Sequence, residues 1–193
     1  MRKQYVTVRV LGTMDTSKIT KNQAILMRLL GGAWYEAPDA NFNELCEIAR
    51  RNLNFKGITG FDSRGVRYSW DNIEGNGFHQ PDTVVKNVAS IFATAFPEGL
   101  TGKLKRWGSY GLKHDLERVT DRCGKGPYVS NGYGIIGFVH YLLNVLHVPE
   151  TDLGKYIKQQ FYESGYPVQL NLDFMLPHSY IRTLGAVPAD FRL

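Results

Sequence analysis

Lysine, arginine and aromatic side chains are concentrated in one stretch of this chain, residues 103–125. Residues 103–126 carry seven basic and three acidic side chains, whereas the formal net charge of all 193 residues is +5. Such an asymmetry indicates nucleic acid, an acidic protein face or anionic lipid as a partner, and interleaved aromatic rings are typical of surfaces that stack bases. The alternative is a solvated helix face with spare lysines. The candidate binding surface comprises Lys103, Lys105, Arg106, Trp107, Tyr110, Lys113, His114, Arg118, Arg122, Lys125, Tyr128, Ser130 and Asn131.

A second possibility is catalysis by hydroxyl, amine and imidazole groups of the same segment. Such a site needs a nucleophile, a base and a group that orients the base, all within hydrogen-bond reach. These groups would converge if the loop after residue 122 folds back over the first turn of the preceding helix, although nothing in the spacing forces it to do so. The residues concerned are Tyr110, Lys113, His114, Tyr128 and Ser130. We therefore expect a binding protein without a cofactor, and keep an enzyme as an alternative.

Residues 132–137 match the G-x-G-x-x-G pattern of dinucleotide-binding loops. In that fold the glycines let the backbone approach a pyrophosphate between a buried strand and a helix. Here a short segment containing Pro127 precedes the pattern, and another helical segment follows it in place of a strand. We therefore expect Gly134 and Gly137 to allow close packing of a neighbouring helix, with Ser130 or Asn131 as the N-cap.

The spacing of histidines and cysteines does not favour a metal site. His140, Asn144 and His147 form a polar stripe on an otherwise apolar helix, but two histidines roughly 10 Å apart cannot share one ion. The two cysteines, Cys46 and Cys123, show no metal-ligand spacing and are typical of an intracellular protein with reduced thiols. We expect no metal, and we expect the stripe to meet solvent or a hydrogen-bonding partner.

Two short segments carry a resemblance to a known group of proteins. SYGLKHDLER begins at Ser109, and YVSNGYGIIGFVHYL begins at Tyr128. Over residues 109–142 they resemble stretches of small, poorly characterised proteins of phages and other mobile elements. The resemblance implies a phage accessory role, such as replication, host takeover or the blocking of a defence complex. It implies that the polar positions to test first are Lys113, His114, Tyr128, Ser130 and Asn131.

Hydrophobic periodicity predicts a single α+β domain over residues 1–193. Alternation predicts strands near residues 5–11, 58–61, 66–70 and 168–174, in a small and mostly antiparallel sheet. Because the first and last strands flank everything else, we expect them to pair with each other. A helical cluster completes the fold, with a possible helical sub-structure over residues 100–165. The predicted helices run from Thr20 to Gly31, near residues 41–53, from Pro81 to Ala95, and near residues 109–122, 133–147 and 151–162.

The composition is typical of a globular protein, with 43% hydrophobic and 21% charged residues. The longest apolar stretch, residues 135–146, is shorter than the roughly 18 residues that span a bilayer. The first residues alternate apolar and polar side chains, which does not indicate a signal peptide. We expect an intracellular protein, in the cytoplasm, a host cell or a virion, with no membrane partner.

Three hypotheses on function follow from these patterns. The first is a small basic intracellular binding protein, encoded by a phage or mobile element, that engages nucleic acid or a nucleic-acid-handling host complex. The second is a virion or assembly protein or an oligomeric scaffold, suggested by 11 Tyr, 10 Phe and 3 Trp and by the apolar tail LGAVPADFRL. The third is an enzyme centred on Lys113, His114 and Tyr128.

Overall fold

Helices and antiparallel strands combine in an α+β architecture, as the periodicity predicts. The computed structural model describes residues 5–8, 12–15, 21–68, 80–123 and 128–178. The helices are α1 (Lys21–Leu30), α2 (Phe42–Asn52), α3 (Pro81–Ala95), α4 (Ser109–Arg122), α5 (Asn131–His140) and α6 (Leu153–Tyr156). The strands are β1 (Tyr5–Val8), β2 (Gly12–Asp15), β3 (Ile58–Asp62), β4 (Gly65–Tyr68), β5 (Leu104–Gly108), β6 (Ile157–Phe161) and β7 (Pro167–Pro177).

Strand β7 is the centre of the main sheet. It pairs with β5 along residues 173–177 and with β6 along residues 167–174. Because both partners pair with residues 173 and 174, β5 and β6 lie on opposite edges of β7. The β3–β4 hairpin joins through the pair Val66 and Leu170. Over residues 171–176 of β7, Leu172, Phe174 and Leu176 are buried, and the half-buried residues that alternate with them form the solvent face of the sheet.

Aromatic side chains connect the helices to the buried face of β7. The rings of Phe138 on α5 and Phe174 on β7 stack with centroids 4.5 Å apart, and Phe92 on α3 lies 4.9 Å from Phe138. Helix α5 is buried along its whole length. It packs so closely on α3 that a Cβ at Gly137 would lie 2.3 Å from Cγ1 of Val88. The prediction that Gly137 allows close helix packing is therefore confirmed.

Local signals in the sequence locate several elements correctly. Asn41 caps α2 by accepting a hydrogen bond from the amide of Glu44 at 3.2 Å, and Pro81 occupies the first turn of α3. Helix α4 has the predicted bounds, and β3 and β4 form the predicted hairpin. Among the helices of the described residues, none combines the length and the apolar character needed to cross a membrane.

The prediction that the first and last strands pair is wrong. Strand β1 pairs with β2 in a separate two-stranded sheet, with Tyr5 opposite Asp15. Residues 5–8 of the predicted strand at residues 5–11 form β1, and residues 9–11 lie outside the described part of the chain. A hairpin forms more readily because its ends are close in sequence, whereas pairing with β7 would close a loop of about 160 residues.

The prediction of a helix at residues 151–162 is confirmed up to Tyr156 and wrong from Ile157 onwards. A 3₁₀ turn (Glu150–Asp152) and the short α6 are followed by β6, whose Ile157 pairs with Phe174. Strand β5, in the segment taken as a cationic run, was not expected either. Both short strands are held by backbone hydrogen bonds to β7, a long-range contact that local propensity does not report. The predicted helix at residues 133–147 begins two residues earlier, and continues after His140 as a π-helical turn (Tyr141–Val145) that ends before His147.

Several predictions concern residues outside the described part of the chain. They include the start of the predicted helix at Thr20, residues 69–70 of the predicted strand and the tail at residues 184–193. The side chain of Arg122 and the whole of Lys125, both members of the candidate binding surface, also lie outside it.

Candidate functional site

The turn of the β3–β4 hairpin lies directly against the N-terminus of α5. The amide of Gly132 donates a hydrogen bond to the carbonyl of Ser63 at 3.1 Å. A Cβ at residue 132 would lie 1.8 Å from the carbonyl oxygen of Asp62, so only glycine fits here. Ser130 is the N-cap of α5, because its hydroxyl accepts a hydrogen bond from the amide of Tyr133 at 3.2 Å. The glycine pattern therefore serves packing, and the predicted cap at Ser130 is confirmed.

Lys113 is a buried cation beside this helix end. Its side chain is only 5% exposed, and its ammonium lies 3.3 Å from a carboxylate oxygen of Glu117. The ammonium also donates a hydrogen bond to the hydroxyl of Tyr128. It lies 4.3 Å from the centroid of the Tyr128 ring and 5.4 Å from that of the Tyr110 ring. Sequence analysis predicted Lys113 as a binding residue, but not that it would be buried.

The environment of Lys113 keeps its ammonium charged. Burial by itself lowers the pKa of this lysine, but the hydrogen bonds to Tyr128 and Glu117 outweigh burial, and the pKa is raised above its ordinary value. At neutral pH the nitrogen therefore has no lone pair with which to attack a substrate or remove a proton. Chemically, Lys113 can attract an anion and hold a tyrosine ring in place.

A cavity of about 280 Å³ lies beside Lys113 and opens to solvent. It is called the Lys113 pocket below. Five residues of the candidate binding surface line it, so the structure brings together Tyr110, Lys113, Tyr128 and Ser130, a convergence that the sequence spacing left open, and His114 is not among the lining residues. Four further lining residues come from the hairpin turn and from β7, and no local pattern in the sequence marked them. The lining residues are Ser63, Arg64, Tyr110, Lys113, Tyr128, Ser130, Asn131, Leu170 and Asn171.

Two tyrosine rings form the outer part of the Lys113 pocket. Tyr110 is 54% exposed and Tyr128 is 53% exposed, although both rings contact the buried ammonium. His114 packs edge-on against Tyr110, with ring centroids 5.1 Å apart, and its Nδ1 lies 3.0 Å from Glu117. Each ring therefore contacts the ammonium on one side while about half of its surface is exposed to solvent, as a ring that stacks on a ligand requires.

Two asparagines, Asn131 and Asn171, contribute amide groups to the lining of the Lys113 pocket. Asn131 donates from Nδ2 to the carbonyl of Leu170 at 2.5 Å and to Oδ1 of Asn171 at 3.2 Å. Within the described part of the chain, Oδ1 of Asn131 is buried and has no hydrogen-bond partner. Leu170 itself has φ +65°, in a region that residues other than glycine rarely adopt. An unsatisfied buried acceptor and a strained backbone both occur in this part of the lining.

The hairpin turn brings a further charge cluster to the edge of the Lys113 pocket. Arg64 and Arg67 bind the same carboxylate oxygen of Asp62, at 3.2 Å and 2.7 Å respectively. Burial raises the pKa of Asp62, although Arg67 acts in the opposite direction. With Lys113 and Glu117 included, three permanent cations surround two carboxylates here. The cluster is therefore cationic by one charge.

The other residues of the candidate binding surface do not share one face. The register places Lys105 opposite Leu176 and Arg106 opposite Met175, and successive residues of a strand point to opposite faces. Arg106 thus lies on the solvent face of the sheet, 3.7 Å from Asp173, and Lys105 does not. Lys103 is exposed, while Trp107 packs against the hydrophobic core. Arg118 is paired with Asp115 one turn away on α4.

The polar stripe on α5 is a structural feature. His140 is 1% exposed, its Nε2 lies 2.9 Å from the carbonyl of Pro38, and its Nδ1 lies 2.7 Å from the amide of Asn144. This confirms the expected hydrogen-bonding partners. His147 lies beyond the helical turn with φ +54°. In the part of the chain that the structure describes, no three His, Cys, Asp or Glu side chains are placed to hold a metal ion.

Comparison with protein-family models, with curated proteins and with solved structures finds no match to this chain.

Proposed function

We propose that this protein binds nucleic acid at the Lys113 pocket and along the adjoining solvent face of the sheet. The observation that supports the proposal is the arrangement of Tyr110 and Tyr128, two half-exposed rings held over one buried ammonium at the mouth of a pocket. Exposed aromatic rings combined with cations are the usual means by which proteins hold bases and phosphates without sequence readout.

Cations continue from the Lys113 pocket along the sheet. Asn171 lines the pocket, and Met175, four residues further along β7, is paired with Arg106. At about 3.3 Å per residue, Arg106 is about 13 Å along the strand from the pocket. On β6, at the other edge of β7, Lys158 lies opposite Asp173 in the strand register and therefore on the same face of the sheet as Arg106. A strand leaving the pocket along β7 would thus meet two further cations.

The charge pattern favours a weak electrostatic component. Arg118 and Lys113 are engaged by carboxylates on α4, so the net positive charge of residues 103–126 overstates what a ligand meets. Two phosphate contacts, from Arg106 and Lys158, predict a slope of log K against log salt of about −1.4 for a single strand. The larger part of the affinity then comes from the tyrosine rings.

The geometry favours binding over catalysis. Lys113 stays protonated because its hydrogen bonds to Tyr128 and Glu117 raise its pKa, so it does not serve as a base or a nucleophile. His114, the other candidate base, lies outside the lining of the Lys113 pocket and contacts Glu117. A role in a phage or mobile element, including anti-defence, remains a prediction from the sequence resemblance.

Fluorescence anisotropy with labelled single-stranded DNA, duplex DNA and RNA at about 50 and 200 mM salt tests the proposal. Arg106→Gln should weaken binding and flatten the salt slope by about 0.7. Lys105→Gln is the matched control, because it removes the same charge one residue away on the opposite face. Equal effects of both variants would contradict the path along the solvent face. Absence of binding by every nucleic acid at the lower salt would refute nucleic-acid binding altogether.

A second candidate function, an assembly or scaffold protein, is favoured by the tip of the β6–β7 hairpin. Three aromatic side chains are exposed there: Phe161 at 52%, Tyr162 at 56% and Tyr166 at 73%. Exposed aromatic groups of this kind occur at protein interfaces. Light scattering at high protein concentration should then show oligomers that Tyr166→Ser disperses, whereas a monomer at every concentration would speak against a self-assembling scaffold.

A further inference from the structure

We propose that the Lys113 pocket receives one unstacked base of a nucleic-acid strand and reads its edge through Asn131 and Asn171. The proposal rests on the proposed function and names the ligand of the same site. It implies that the protein binds single strands more tightly than duplex DNA, and that a change of the hydrogen-bonding groups at Asn171 changes which base is preferred at one position of the strand.

The size of the Lys113 pocket suits a single nucleotide. Its volume of about 280 Å³ lies just below the roughly 300–1,000 Å³ of typical ligand pockets. The pocket therefore has space for one base and part of its sugar, but not for a stacked base pair. Proteins that recognise single strands commonly hold an unstacked base between aromatic rings and hydrogen-bonding side chains. Tyr110 and Tyr128 supply the rings here.

The burial of Lys113 also favours an unstacked base over an intact duplex as the ligand. Its side chain is only 5% exposed, so the phosphates of an intact duplex lying on the surface do not reach the ammonium. Described side chains provide acceptors for two of its three N–H groups, Glu117 and Tyr128. The remaining N–H is available to a group that enters the Lys113 pocket. A base that enters must first leave the stack.

Asn131 and Asn171 form a pair with one acceptor and one donor. Oδ1 of Asn171 accepts from Nδ2 of Asn131, which leaves Nδ2 of Asn171 as a donor for a ligand. Oδ1 of Asn131 is the buried acceptor that the described residues do not satisfy. Amides that present an acceptor beside a donor pair with the complementary edge of a base. A base that enters the pocket would therefore donate a hydrogen bond to Oδ1 of Asn131, for which the described residues supply no donor.

Substitution at Asn171 can change the hydrogen-bonding groups that the pair offers to a base while it keeps the hydrogen bond from Nδ2 of Asn131. In Asn171→Asp, the carboxylate still accepts the hydrogen bond from Nδ2 of Asn131. The pair then presents two acceptors in place of an acceptor and a donor. Among the four bases, only guanine presents two adjacent donors on its Watson–Crick edge, N1–H and the N2 amino group. The variant should therefore shift the preference of the pocket towards guanine.

The experiment measures anisotropy at about 50 mM salt with labelled five-residue DNA strands TTXTT, in which X is A, C, G or T, and with a perfectly paired duplex. We expect the best single strand to bind at least ~10-fold more tightly than the duplex, because base flipping in a duplex requires unstacking and unpairing. We expect Asn171→Asp to raise the affinity for X = G relative to the other three strands by ~5-fold or more. Asn54→Asp, which makes the same charge change at an exposed asparagine, should change all four affinities equally.

The outcomes separate this inference from the proposed function. Equal binding of the four strands by the wild-type protein, with Asn171→Asp and Asn54→Asp changing all four alike, would overturn base readout and leave nucleic-acid binding intact. Duplex binding as tight as single-strand binding would overturn the unstacked base. Absence of binding to every strand and to the duplex would refute the proposed function and this inference together. Thermal unfolding of each variant shows whether a lost affinity reflects a lost fold.

Discussion

The ammonium of Lys113 lies 4.3 Å from the ring centroid of Tyr128 and donates a hydrogen bond to its hydroxyl. The two residues are 15 positions apart, on α4 and in the segment that leads into α5. Because Glu117 holds the ammonium from the same helix, the lysine fixes the Tyr128 ring while the other side of the ring stays exposed. The buried lysine thus fixes the position of an exposed ring that a ligand of the Lys113 pocket would contact.

Removal of either outer ring should weaken nucleic-acid binding. Tyr110→Ala and Tyr128→Ala should each cost about 1–3 kcal/mol of binding free energy, the range for a base stacked on an aromatic ring. Tyr128→Phe keeps the ring and should retain most of the affinity. Tyr35→Ala is the matched control, since Tyr35 is 52% exposed and does not line the pocket. Anisotropy with a single-stranded oligonucleotide measures all four, and an equal loss in Tyr35→Ala would rule out a specific role for the two rings.

Lys113 and Glu117 should be coupled in stability. Lys113→Met leaves a half-buried carboxylate without its lysine partner and should lower the free energy of unfolding by about 1–3 kcal/mol. Lys113→Met combined with Glu117→Gln should cost less than the sum of the two single substitutions, because neither partner is then left charged and alone. Urea unfolding of the four proteins completes the double-mutant cycle. Strictly additive values would show that the ion pair contributes nothing measurable.

Gly132 should not tolerate a side chain. A Cβ would lie 1.8 Å from the carbonyl oxygen of Asp62, so Gly132→Ala must displace the hairpin turn and should cost about 1–3 kcal/mol of unfolding free energy. The control is Gly111→Ala on α4, where no atom lies within 4 Å and alanine should stabilise the helix by about 0.5–1 kcal/mol. Thermal or urea unfolding distinguishes the two. If Gly132→Ala were as stable as Gly111→Ala, the docking of the turn on α5 would be disproved.

His140 should make the fold sensitive to mild acid. Burial lowers its pKa, the carbonyl of Pro38 partly offsets this, and nearby Lys86 lowers it further. Below about pH 6.5 the unfolded chain takes up a proton at this residue that the folded protein does not bind. The free energy of unfolding then falls as the pH falls, by up to about 1.4 kcal/mol per pH unit until the lowered pKa is reached. Urea unfolding between pH 5 and 7 should show this slope, and His140→Gln should flatten it.

The helices show how much of the fold local sequence encodes. Asn41, Pro81 and Ser130 begin helices through interactions within one turn, and each could be recognised from the sequence. Strands β5 and β6 could not be recognised, since their hydrogen bonds run to β7, which is far away along the chain. The α+β class was predictable because apolar periodicity is a local property. The pairing of β1 was not predictable, because the alternation of apolar and polar residues in one strand does not indicate which other strand it pairs with.

The candidate site divides in the same way. Tyr110, Lys113, Tyr128, Ser130 and Asn131 belong to one segment whose charge and aromatic content marked it in the sequence alone. Only the tertiary structure decided that Lys113 is buried, that Lys105 and Arg106 face opposite ways, and that Arg64 and Asn171 complete the Lys113 pocket. Residue types and short-range spacing follow from the chain itself. Burial and the meeting of distant segments depend on how the hairpin and β7 pack against α5, and these are long-range contacts that no local pattern encodes.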